Sequence, residues 1–175
     1  MSAIPEAYWE MIAPLIERAR VLLEGGESLR PIAFVGSSEK RSINTVVLST
    51  AGGDVQNTSA EQVRQTAHRA QADFVFTVME AWGLPPEKVD KYQAILDKYG
   101  SIEASPYAVD LVSFAMETRL GSWVAQVEVK PKGISKRKKT FGKPHFRLFT
   151  ESAGGFAELL PQPVQPSDGG GGALH

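Results

Sequence analysis

Residues 109–130, VDLVSFAMETRLGSWVAQVEVK, decide the fold. With a tight turn at Leu120-Gly121, Thr118 faces Trp123, Met116 faces Ala125, Phe114 faces Val127 and Val112 faces Val129. All of these pairs except the Thr nearest the turn are apolar. The opposite face receives Ser113, Glu117, Gln126, Glu128 and Lys130. Side chains alternate across a strand, so a one-residue slip would exchange the faces, and this agreement predicts a half-buried antiparallel hairpin.

Upstream, Phe74-Val75-Phe76-Thr77-Val78-Met79 is a continuous apolar run of the kind covered on both faces. Before it, Thr58 with Glu61 and Ser59 with Gln62 form overlapping capping boxes for a helix to about Gln71, after a loop at Ala51-Gly52-Gly53-Asp54. Ile32–Gly36 and Ile43–Ser49 read as a further hairpin, and strand, helix and strand at this spacing predict a right-handed parallel crossover. From Pro5 to Glu24, apolar residues at three- and four-residue steps make one helical face closed by Gly25-Gly26, with a bend or a new helix at Pro14. Pro86 opens a short helix stopped by Gly100. His145–Thr150 resumes as a strand, paired with Phe156–Leu160 across Gly154-Gly155. The expected fold is α+β: a mixed sheet of about six strands, a single layer packed by three helices. Residues 1–160 form one domain and 161–175 a disordered tail rich in Pro and Gly.

The 175 residues contain no cysteine, which excludes disulfides, thiolate zinc sites and a cysteine nucleophile. Met1–Glu10 reads as the start of an amphipathic helix rather than a leader. No apolar stretch approaches the roughly 18 residues needed to cross a bilayer, so a soluble cytoplasmic protein without membrane partner is expected.

Charge is the main functional signal. Residues 130–147, KPKGISKRKKTFGKPHFR, hold eight of the nineteen Lys and Arg and no acid, while the remaining 157 residues hold eleven basic and twenty acidic side chains. A basic segment on an acidic body calls for nucleic acid, an acidic protein surface, or a neighbouring copy's acidic body in a homo-oligomer. Lys132, Lys136, Arg137, Lys138, Lys139, Lys143 and Arg147 are the candidate contacts, on a mobile, solvent-projecting loop at 132–143, with Phe141, His145 and Phe146 adding stacking. The same lysines could instead serve only to keep an edge strand from pairing.

Three other constellations carry chemistry on paper. Asp110 with Glu128-Val129-Lys130 resembles the metal-binding core of restriction-endonuclease-like nucleases, which implies Mg²⁺ held by the two carboxylates with Lys130 beside them. The hairpin register opposes this by placing Asp110 and Glu128 on opposite faces. Thr50 and Asp54, with Glu80 and Trp82 at the end of the following strand, would line a small-molecule crevice beyond the parallel crossover. His68, His145 and His175 show neither metal-ligand spacing nor a triad.

The stretch from Phe74 to Trp82, ending Glu80-Ala81-Trp82, resembles small α+β proteins of bacteria and phages that have a strand ending Glu-Ala-Trp, a variable loop and a later hairpin. That resemblance implies no activity and no functional residue. The residues therefore favour a non-enzymatic binding module that requires no cofactor or resident metal. A metal-dependent nuclease or a homo-oligomeric structural protein are the alternatives.

Overall fold

A computed structural model describes residues 3–48, 53–135 and 137–149, with the side chains of 53–58 and 149 excepted. The expected strand at 156–160 and the tail at 161–175 lie outside these residues. The described elements are α1 (Glu6–Glu24), β1 (Ile32–Ser37), β2 (Ser42–Val47), α2 (Gly53–Ala70), β3 (Phe74–Gly83), a 3-10 turn (Pro86–Lys91) leading into α3 (Tyr92–Tyr99), β4 (Val109–Thr118), β5 (Gly121–Pro131), β6 (Lys139–Phe141) and β7 (Arg147–Phe149). They form an α+β fold whose sheet runs β2-β1-β3-β4-β5-β6, with β7 also on β5.

Every pair of neighbouring strands is antiparallel, which corrects the expected parallel crossover. β2 and β3 do run in the same direction around α2, but β1 lies between them and pairs with both. The unit is a split β-α-β, in which the first hairpin supplies the strand that separates the two parallel ones. α2 starts at Gly53, so Thr58 and Ser59 stand inside the helix rather than capping it. Its packing spacing is Ser59, Val63 and Ala67, three buried positions at four-residue steps.

The two long helices cover opposite faces. Ile12, Ile16, Ala19 and Leu23 of α1 pack on Phe74, Phe76, Val78, Val112, Phe114, Met116, Trp123 and Ala125. Val63 and Ala67 of α2 pack on Ala33, Val35, Val46 and Val75, the alternate residues of the same sheet. On the α1 face, Phe34 stacks on Phe76 at 6.3 Å, Phe76 on Phe114 at 6.0 Å, and Phe114 leans on Phe141 at 5.7 Å. This aromatic row ties the first hairpin to β6. α1 is one helix through Pro14, so no second helix begins there. It closes on Gly26 at φ 86°, with Gly26 N–H on the Leu23 carbonyl and Glu27 N–H on the Leu22 carbonyl. A Schellman closure of this kind requires the left-handed conformation that glycine adopts without strain.

The β4–β5 hairpin keeps the expected faces in a shifted register. Met116 stands across from Trp123, Phe114 from Ala125 and Val112 from Val127, with Thr118 opposite Gly121 and a two-residue turn at Arg119-Leu120. The Thr118 hydroxyl accepts from Leu120 N–H at 3.0 Å and donates to the Gly121 carbonyl at 3.1 Å, which fixes the turn one position earlier than expected. Moving the turn by one position slides the register by two residues, and the side-chain period is two, so every face is retained. No helix among the described residues is long and apolar enough to cross a membrane.

Candidate functional site

The basic segment begins on the last residues of β5 and folds back on them. Val129 pairs with Phe141, Lys130 with Thr140 and Pro131 with Lys139. Across the turn, Lys132 N–H donates to the Lys138 carbonyl at 2.8 Å, and the Ser135 hydroxyl accepts from Arg137 N–H at 3.3 Å and Lys138 N–H at 3.1 Å. The expectation of a loop projecting from 132 to 143 is thereby corrected: Lys139–Phe141 within it form the short strand β6. The anchor is Phe141, 3% exposed. Arg20 holds it from α1, its guanidinium 4.8 Å above the ring, its Nε donating to the Phe141 carbonyl at 3.0 Å and its Nη2 to that of Gly142 at 3.3 Å. Phe146 packs against Trp9 at 6.0 Å and Phe114 at 6.2 Å. Neither ring is presented for stacking, because both complete the core that α1 would otherwise leave open at this edge.

The cations divide into two sets. Lys132 reaches Glu24 at the end of α1 at 3.3 Å, and Thr140 donates to the other oxygen of the same carboxylate at 2.9 Å. The Thr140 hydrogen bond and then Lys132 hold Glu24 below the usual carboxylate range. Lys139 reaches Asp110 on β4 at 3.2 Å. Lys130, Arg137, Lys138, Lys143 and Arg147 are exposed and make no ion pair among the described residues. Lys136 lies outside the described residues. Arg147 stands across β5 from Val124 and Lys139 across from Pro131. Seven residues of strand separate those two positions, so the cations line about 23 Å of one sheet edge.

Glu128 stands opposite Leu111. Asp110, one residue before Leu111, therefore faces the other side of the hairpin from Glu128 and Lys130, and a metal shared by the two carboxylates has no geometry here. Asp110 instead meets Lys139 and shares its face with Glu80 and Trp82, which stand opposite Val112 and Asp110 respectively. Burial raises the Glu80 pKa and the negative charge of Asp110 adds to it, while the Leu29 backbone N–H and Lys139 pull it down. Sequence reasoning missed this Glu80–Asp110–Lys139 grouping because it forms only when β6 folds back. Among the described residues no three His, Cys, Asp or Glu side chains are grouped to hold a metal.

The crevice proposed at the crossover loses its geometry, since β1 occupies the place between β2 and β3. Thr50 and the Asp54 side chain lie outside the description, and Trp82 is 48% exposed. A concavity of about 470 Å³ lies elsewhere, between α1 and the first hairpin. At the opposite end of that hairpin, Asp73 accepts from the backbone N–H of Ser38 at 2.9 Å and from the Ser38 hydroxyl. Burial chiefly, and then Asp73, raise the Tyr8 hydroxyl above its ordinary pKa, against a hydrogen bond with Ser38. These bonds fasten the β1–β2 turn to the start of β3. No family model, curated protein or solved structure matches the chain.

Proposed function

We propose that the chain is a non-enzymatic binding module that presents the edge formed by the β5–β6 turn, the 142–146 connection and β7 to the phosphate backbone of nucleic acid. One observation supports this above the others. Arg137, Lys138, Lys143 and Arg147 are exposed without an ion pair among the described residues, on a segment that Phe141, Phe146, Lys132 and Lys139 hold to the body. A cation kept near others without a carboxylate raises the local potential, and phosphates displace their own counterions to meet it. With Phe141 and Phe146 committed to the core, the contact is electrostatic, and binding is insensitive to sequence and steep in salt. About 23 Å of edge faces roughly seven phosphates of one strand at about 3.4 Å each.

The test is retention of duplex and single-stranded oligonucleotides by fluorescence anisotropy between 50 and 200 mM salt, the range over which four phosphate contacts on duplex lose about 10²-fold in affinity. Changing Arg137, Lys138 and Lys143 together to Ala should weaken binding alike for unrelated sequences and flatten the duplex salt slope by up to about 2.7, at about 0.9 for each phosphate left unneutralised. Changing Lys132 and Lys139 to Ala should flatten it less, because Glu24 and Asp110 already neutralise them. Wild-type protein that retains neither nucleic acid at the lowest salt ends this reading and transfers the surface to an acidic protein partner. That partner would be identified by a pull-down which the triple variant abolishes.

A further inference from the structure

The sheet is wider than its cover on the α1 face. α1 lies along β3, β4 and β5, and beyond it the same face of the first hairpin is left open: Ile43 is 37% exposed and Val47 54%. The concavity of about 470 Å³ lies here, floored by Phe34 and Val78, walled by Leu15 and Leu22 of α1, and closed at one end by the 27–30 loop. Three charged side chains stand on its wall, Arg18, Arg30 and Glu27. All three are exposed, and none makes an ion pair among the described residues.

We infer that this groove binds a single-chain fatty acid, its methylenes on Phe34, Val78, Leu15 and Leu22 and its carboxylate between Arg18 and Arg30. Size and charge both select this occupant. The volume falls within the range of small-molecule sites, about 300–1,000 Å³. Two guanidinia against one carboxylate leave one positive charge, which a monoanion neutralises and a phosphate dianion exceeds. A planar carboxylate also matches the donor fork of arginine. The site is separate from the basic edge on β5, so neither proposal depends on the other.

The test uses dodecanoate, decanoate and dodecanol below their aggregation limits, titrated by calorimetry into the full chain. Dodecanoate should bind saturably one to one, and about fourfold more tightly for each methylene added to a shorter homologue, the factor expected for a buried CH₂. Arg18→Gln with Arg30→Gln should weaken dodecanoate at least tenfold and leave dodecanol unchanged. Thr45→Trp, at an exposed residue of the groove, should block both probes, and Ile43→Trp serves if that variant is poorly folded. No saturable dodecanoate binding, or binding indifferent to both tryptophans, overturns the inference, as does equal loss of acid and alcohol in the arginine variant. So does a wild-type dimer in sedimentation that Thr45→Trp dissociates, which would show a second copy seated in the groove.

Discussion

Phe141 is the most buried of the side chains that attach the basic edge, and truncating it should loosen the edge and lower the stability of the whole chain. β6 makes only three residue pairs with β5. Phe141 is 3% exposed, its ring 5.7 Å from that of Phe114 and 4.8 Å below the Arg20 guanidinium. Phe141→Ala leaves a cavity costing about 3–5 kcal/mol, and removing the cation–π interaction adds about 0.5–1 kcal/mol. Taking about 5 kcal/mol in total, and about 2–4 °C per kcal/mol for a chain of this length, the melting temperature should fall by about 10–20 °C. Phe141→Leu, which keeps most of the volume, should cost less than about 1.5 kcal/mol. Urea unfolding gives the energies, and hydrogen exchange locates them. The Lys132 amide, bonded across the turn to Lys138, should lose protection well beyond the global change, while amides in β3 and β4 should follow the global change alone. A loss under about 1 kcal/mol for the alanine variant, with the Lys132 amide still protected, would refute the reasoning, because the ring could not then be holding the strand.

Two further outcomes follow from close contacts and from titration. A methyl group on Gly36 would lie 2.3 Å from Cζ of Phe74 and 2.9 Å from the backbone oxygen of Ser42, whereas one on Gly83 would lie 2.3 Å from Cδ1 of Leu111, the movable end of a flexible side chain. Gly36→Ala should therefore lower the urea midpoint by the equivalent of about 1–3 kcal/mol and Gly83→Ala by less, and the reverse order would contradict the contact geometry. Glu80 has a folded pKa raised chiefly by burial, so the folded state binds its proton more tightly than the unfolded chain does. Its contribution is fully present below the ordinary pKa of 4.5 and is lost as pH rises through the raised value. Glu80→Gln should thus gain in stability relative to wild type between pH 4 and pH 7, by a modest amount because the group is reached by solvent. A relative loss over that interval would contradict the shift.

The fold was legible where the period of the side chains carries the information. Alternation in residues 109–130 placed Val112, Phe114, Met116, Trp123 and Ala125 on one face and Glu128 on the other, and all of them are there. The turn was misplaced by one position because Thr118 decides it through two local hydrogen bonds, and apolar pairing is blind to a two-residue slide. The crossover failed for a different reason. Strand, helix and strand fix the direction of β2 and β3, but only tertiary pairing reveals that β1 fills the slot between them. The strand expected from His145 is present as β7, though it pairs with β5, whereas β6, three residues long, is shorter than any periodic signal.

The same distinction separates what was legible of the candidate edge from what was not. An excess of eight cations without a carboxylate is visible in residues 130–147, yet its meaning depends on which charges the body answers. Glu24 answers Lys132 from 108 residues away and Asp110 answers Lys139 from 29 residues away, separations that no local pattern records. Phe141 and Phe146 show the converse. In a basic run they resemble contacts for bases, but each has an apolar neighbour waiting on the α1 face, and burying a large ring outweighs leaving it for a ligand. A basic segment with embedded aromatics can therefore fold as a rim with its rings turned inward. The charge that remains outside is then set by which lysines lie within reach of a carboxylate once the rings are seated, so in this chain the hydrophobic anchor decides which cations stay unpaired.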